Sequence, residues 1–135
     1  QCDGVAPHSG EHYFATGGVC ESADYARAYQ SVDLSESLWE IIDAGQAAVQ
    51  FGGYLRTYSG SDLPEIQLEF VDASGQATTS EKLSSQESSW TYVSSSQSLP
   101  AGTRSVRFVL MGTRNAGNDS DCYFDDLSLV VGSCE

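Results

Sequence analysis

The 135-residue chain predicts an all-β protein, an antiparallel jelly-roll β-sandwich with one short helix, on three observations. Apolar and polar residues alternate through several segments, which is the period of a half-buried strand. Between those segments lie Asp72-Ala73-Ser74-Gly75 and Leu99-Pro100-Ala101-Gly102-Thr103, whose residue types favour chain reversal. A single stretch, LSESLWEIIDAG, has apolar residues at helical spacing instead. The length suits one domain over residues 1–135, with enough chain to bury a core.

In chain order, weak strands are expected around Tyr13 and from Tyr25 to Val32. The helix follows: Ser35 caps its first turn, Leu38, Ile41 and Ile42 form its apolar face, and Gly45 closes it. Trp39 lies beside that face and reads as a packing residue more readily than as a stacking platform. In QAAVQFGGYLRTY, the residues Ala47, Val49, Phe51, Gly53 and Leu55 share one side; in EIQLEFVD, so do Ile66, Leu68 and Phe70. Weaker strands are expected from Gln76 to Leu83 and from Trp90 to Ser96. From Ser80 to Ser98, nine of nineteen residues are serine, which suits a solvent-facing strand pair. Val106, Phe108 and Leu110 form another inward row, and Leu127 and Leu129 mark the closing strand.

Charge narrows the partners. With 19 acidic residues against 6 basic ones, the net charge of −13 repels phosphate backbones and anionic lipid, so neither nucleic acid nor membrane insertion is expected. No apolar run approaches the ~18 residues of a spanning helix. The chain opens on Gln1 and Cys2 without an initiator methionine, which is how a secreted, extracellular chain looks after removal of its leader. Cys2, Cys20, Cys122 and Cys134 lack the spacing of a zinc site and are expected to form disulfides. Three pairings exist. Cys2 with Cys134 and Cys20 with Cys122 is the preferred one, because domain termini are often close in space; bonds from the terminal cysteines to neighbouring subunits are the alternative.

Catalysis has little to work with. His8 and His12 are the only histidines, both in the glycine-punctuated stretch APHSGEHYF, and no G-x-S-x-G elbow is present. Carboxylate pairs are too easily found in so acidic a chain to identify a glycosidase. The expectation is therefore a protein that is not an enzyme. In RNAGNDSDCYFDDLSLVV, by contrast, Asn118, Asp119, Asp121 and Asp125 offer hard oxygen ligands for a structural calcium ion, without the spacing of an EF-hand. If Leu127 and Leu129 face the core, Asp125 points inward and Asp126 outward. A buried Asp125 would need either a cation or a ring of donors, such as backbone N–H groups from an adjacent loop. Asn118-Asp119-Ser120 is also a sequon, which makes Asn118 a candidate glycosylation site.

The stretch SLPAGTRSVRFVLMGTRNAGNDSDCYFDDLSLVV resembles the C-terminal half of a galactose-binding-like domain of secreted bacterial proteins, and GEHYFATGG and AYQSVDLS resemble its upstream segments. More distantly, QSVDLSESLWEIIDAGQAAV is similar to the strand, helix and strand of the F-box-associated domain of sugar-recognising F-box proteins. These resemblances imply a sandwich that binds ligands, N-glycans in the best-understood branch, through loops at one end. They also bring the loops around Cys20 and Cys122 to the same end. The matching loop, Asn115 to Asp121, lacks the aromatic residues that stack on sugar in those relatives. Tyr25, Asn115, Asp119, Asp121 and Tyr123 are the ligand-binding candidates there, while Tyr54, Tyr58 and Trp90 are placed to line a sheet face. The leading expectation is a secreted, non-catalytic module that recognises carbohydrate or an extracellular protein. Its rival is a self-assembling structural subunit of an extracellular filament, coat or matrix.

Overall fold

The alternating segments become two facing antiparallel sheets in a computed structural model, which describes residues 4–16 and 23–133. The strands are β1 (Phe14–Ala15), β2 (Tyr25–Asp33), β3 (Ala47–Thr57), β4 (Leu63–Asp72), β5 (Ala77–Thr79), β6 (Leu83–Ser84), β7 (Thr91–Ser98), β8 (Thr103–Thr113) and β9 (Cys122–Ser133), with α1 (Glu36–Asp43) between β2 and β3. The first sheet has the order β1-β9-β3-β7; the second has β2-β8-β4-β5, with β6 also paired to β4. This is the antiparallel all-β sandwich with one helix that the alternation predicts. The segment from Gln76 to Leu83 is not one strand but gives two short ones, β5 and β6.

The core lies between the sheets. Val49, Phe51 and Leu55 from β3 meet Ile66, Leu68 and Phe70 from β4 and Val106, Phe108 and Leu110 from β8, all buried. Phe51 and Phe108 pack edge to face across the gap, at 6.0 Å between ring centroids. Helix α1 begins where Ser35 accepts a hydrogen bond from the Ser37 N–H, and it buries Ile42 against this core. Trp39 packs there too and donates to the Leu34 carbonyl at 3.1 Å, in keeping with a packing role. Arg104 forms an ion pair with Asp43 at 2.7 Å, and the Gly102 N–H donates to the same carboxylate, so the helix end is tied to the β7–β8 turn. The β4–β5 turn forms as its residues require. Asp72 accepts from the Ser74 and Gln76 N–H groups, and Gly75 adopts a φ of 86°.

Strand β9 departs from simple alternation. Gly52 pairs with Ser128 and Tyr54 with Asp125, so two steps along β3 match three along β9. The extra residue is Asp126, whose φ of 49° lies in the left-handed region that Asp tolerates better than most residues. This bulge puts Phe124, Leu127 and Leu129 on the core side together. Asp125 therefore does not point inward as the spacing from Leu127 predicts; it shares the outer face with Tyr54. Cys122 is buried and has no disulfide partner among the described residues. Cys2, Cys20 and Cys134, and with them both predicted pairings, lie outside the described residues.

Candidate functional site

Two surfaces carry polar and aromatic groups beyond what folding needs. The first is the sandwich end opposite α1, where the segment joining β8 to β9 runs past the start of β2. Its organiser is Asp62, directly ahead of β4 and only 3% exposed. Asp62 Oδ1 accepts from the Asn115 N–H at 2.7 Å and the Ala116 N–H at 3.2 Å, and Oδ2 accepts from the Asp121 N–H at 2.7 Å. One carboxylate thus satisfies three backbone donors at the two ends of the segment. Asn115 Nδ2 donates to the Ser61 carbonyl, and Arg114 pairs with Asp24 and donates to the Asn118 carbonyl.

Of the predicted ligand-binding residues, Tyr25, Asn115, Asp119 and Asp121 do come to this end. Tyr25 is an exposed ring, and Asn115 and Asn118 are exposed. Tyr123 is different: its side chain is 5% exposed beneath Tyr13, whose ring meets it edge-on at 5.4 Å, and it offers no open face to a ligand. Its hydroxyl donates to Asp121 Oδ1 at 3.0 Å. Desolvation pushes the Asp121 carboxyl above its usual range, against that hydrogen bond, with the charges of Asp62 and Asp119 adding to the rise. The calcium set of Asn118, Asp119, Asp121 and Asp125 is not brought together. Asp125 instead accepts the N–H groups of His8 at 2.8 Å, Ser9 at 3.2 Å and Asp126 at 2.8 Å, the ring of donors its alternative reading requires. Among the described residues no group of three or more His, Cys, Asp and Glu side chains is placed to hold a metal ion.

The second surface is the outer face of the β9-β3-β7 sheet. Gly52 sits in its central strand, opposite Ser94 on one side and Ser128 on the other. A Cβ added to Gly52 would lie 3.0 Å from the Tyr92 hydroxyl, 2.9 Å from Ser94 Cβ and 2.5 Å from the Val93 carbonyl oxygen. The glycine therefore leaves room for the Tyr92 side chain to lean across the neighbouring strand. Tyr92 remains 49% exposed. Its neighbour Tyr54 lies 5.2 Å away, and exposed Gln50, Ser94, Ser96 and Ser128 continue the face. Sequence reading singled out Tyr54, Tyr58 and Trp90 for a sheet face but not Tyr92, although the alternation in TYVSSSQS places Tyr92 and Ser94 on one side; Tyr58 lies just past the end of β3.

The N-terminal segment crosses the aromatic end of this face. The His8 ring stacks on Tyr54 at 3.5 Å between centroids, with 18° between planes. Trp90 Nε1 donates to the Ala6 carbonyl at 2.9 Å, and the Val5 N–H donates to the Tyr13 hydroxyl at 3.2 Å. His8 Nδ1 lies 2.7 Å from Asp126 Oδ2, and Ser9 Oγ donates to the same carboxylate. Hydrogen bonds from His8 and then Ser9 hold the Asp126 carboxyl below its usual range. A lowered folded-state value means that this contact is fully present above the ordinary carboxylate range and is lost as pH falls through the lower value. In an acid titration followed by NMR, the side-chain carboxyl carbon of Asp126 is expected to titrate below the usual carboxylate range.

Fold and surface together define a two-sheet β-sandwich with an exposed aromatic and polar sheet face. No family model matches the chain, and no curated protein matches it. Among solved structures it is similar to a Family 16 Carbohydrate Binding Module-2, at 22% identity and a TM-score of 0.51, over 82% of this chain and 73% of that one. It is also similar to the enzymatically active domain of tailspike protein 4 of bacteriophage CBA120, at 11% identity and a TM-score of 0.59. The match covers 88% of this chain but only 15% of the tailspike chain. These likenesses show the shared fold.

Proposed function

We propose that this protein is a secreted, non-catalytic carbohydrate-binding module, and that its binding face is the outer surface of the β9-β3-β7 sheet rather than the end loops. The observation that carries the reading is Tyr92, an exposed ring leaning over Gly52 beside a row of serines and Gln50. A pyranose presents an apolar C–H face, which packs on an aromatic ring, and a rim of hydroxyls, which bond to short polar side chains. The net charge of −13 disfavours anionic polysaccharides, so the ligand class is neutral. Likeness in fold to a carbohydrate-binding module supports the same reading.

Affinity electrophoresis against neutral glucans, mannans, xylans and galactans tests it. Retention by at least one polysaccharide is expected, with Tyr92→Ala weakening it roughly 30-fold or more, the effect of losing an interface anchor. Asp119→Ala at the sandwich end is expected to leave retention within about twofold, as rim substitutions do. The reverse pattern would move the site to the end loops. No retention at all would favour the assembly reading, which one feature supports. Among the described residues only Phe14 and Ala15 pair with the outer edge of β9, and an apolar cleft of about 410 Å³ lies between that strand and β2.

A further inference from the structure

We infer that His8 and Ser9 fill a second sugar subsite beside Tyr92, so that the N-terminal segment stands in for the second ring of an oligosaccharide and must be displaced before that ring can bind. This rests on the assignment of Tyr92 as the first stacking platform. Three observations point to it. The imidazole lies nearly parallel to Tyr54 at 3.5 Å, the position a stacked pyranose would take, and Tyr54 is the cross-strand partner of Tyr92. The groups that the segment brings to Asp125 and Asp126 are two N–H donors, an imidazole nitrogen and an aliphatic hydroxyl, Ser9 Oγ. Sugar hydroxyls have the same donor chemistry, so a second ring on Tyr54 would satisfy both carboxylates once the segment leaves. Finally, the segment is lightly held. None of residues 4 to 12 is buried, and the contacts of His8 and Ser9 with the two aspartates are exposed.

The two carboxylates are anchored independently of their occupant. Asp125 is in register with Tyr54, and Asp126 is set by the bulge, so both stay in place when the segment moves. The subsite is thus preformed but occupied, and a ligand long enough to need it binds more weakly by the fraction of molecules in which it is open. A single sugar ring on Tyr92 carries no such penalty.

Calorimetry with gluco-, manno-, xylo- and galacto-oligosaccharides of one to four units tests this on the full chain. His8→Ala combined with Ser9→Ala is expected to raise affinity about tenfold for oligosaccharides of two or more units of the preferred sugar, and to leave the monosaccharide unchanged. Tyr54→Ala in that background should remove the gain. In a Trp39→Phe background, acrylamide quenching of Trp90 should increase when His8 and Ser9 are replaced, showing that the segment has lifted. Length-dependent affinity that the double substitution leaves unaltered, while Tyr92→Ala still abolishes binding, overturns the second subsite alone. Absence of binding by both proteins overturns the first platform and the subsite together.

Discussion

Replacing Asp62 by alanine is expected to lower the free energy of folding by ~3–5 kcal/mol, the range for removing a buried charged partner from its hydrogen-bonded groups. The side chain is 3% exposed and accepts three backbone N–H groups, from Asn115, Ala116 and Asp121. Alanine leaves these three donors without their acceptor beneath the segment that joins β8 to β9. Asparagine is expected to do little better, because its amide presents an N–H₂ where one of the two oxygens accepted. Denaturant unfolding should show a lower midpoint with the slope unchanged. Amide exchange at Asn115, Ala116 and Asp121 should accelerate more than exchange in the core of β3. A loss below about 1 kcal/mol would mean that solvent satisfies the three donors, and that Asp62 is not what holds the segment.

Gly52→Val is expected to cost up to ~3 kcal/mol through overpacking and to weaken polysaccharide binding at least tenfold. Both effects have one origin. The new Cβ would lie 2.5 Å from the Val93 carbonyl oxygen, a backbone atom that cannot swing aside, and 3.0 Å from the Tyr92 hydroxyl. Strand β7 must shift and the Tyr92 ring must lift off the sheet. Gly132→Val on β9 is the control, since a Cβ there meets nothing within 4 Å. Thermal melts and affinity electrophoresis on the two variants read both effects. If Gly52→Val binds as tightly as the parent, Tyr92 is not the platform.

Much of the sandwich was legible because burial on one face leaves a period of two. Ile66, Leu68 and Phe70, and again Val106, Phe108 and Leu110, alternate in sequence and are buried in space. The helix was equally legible from Ser35, Leu38, Ile41, Ile42 and Gly45, which act within a dozen residues of one another. The placing of Tyr25, Asn115, Asp119 and Asp121 at one end also followed from the family resemblance, which brings the loops around Cys20 and Cys122 to the same end. Asp62 was missed because its role is long-range: its partners lie more than fifty residues away, and nothing near SGSDLPE distinguishes it from other surface acids. An acid directly ahead of an apolar strand was the one local hint.

For β9, periodicity alone misassigned Asp125. The bulge at Asp126 adds one residue to the count, so Phe124 and Leu127 share a side that strict alternation gives to Asp125. The energy that selects this register comes from burial of Phe124, Leu129 and Val131 against strands distant in sequence. Local pattern thus determined that the chain would form two half-buried sheets and a capped helix, because those choices are made by neighbours in sequence. Which aspartates face solvent, which tyrosine lies open, and what covers Tyr54 were decided only when distant strands came into register, because each depends on contacts that do not exist until the sheets have formed.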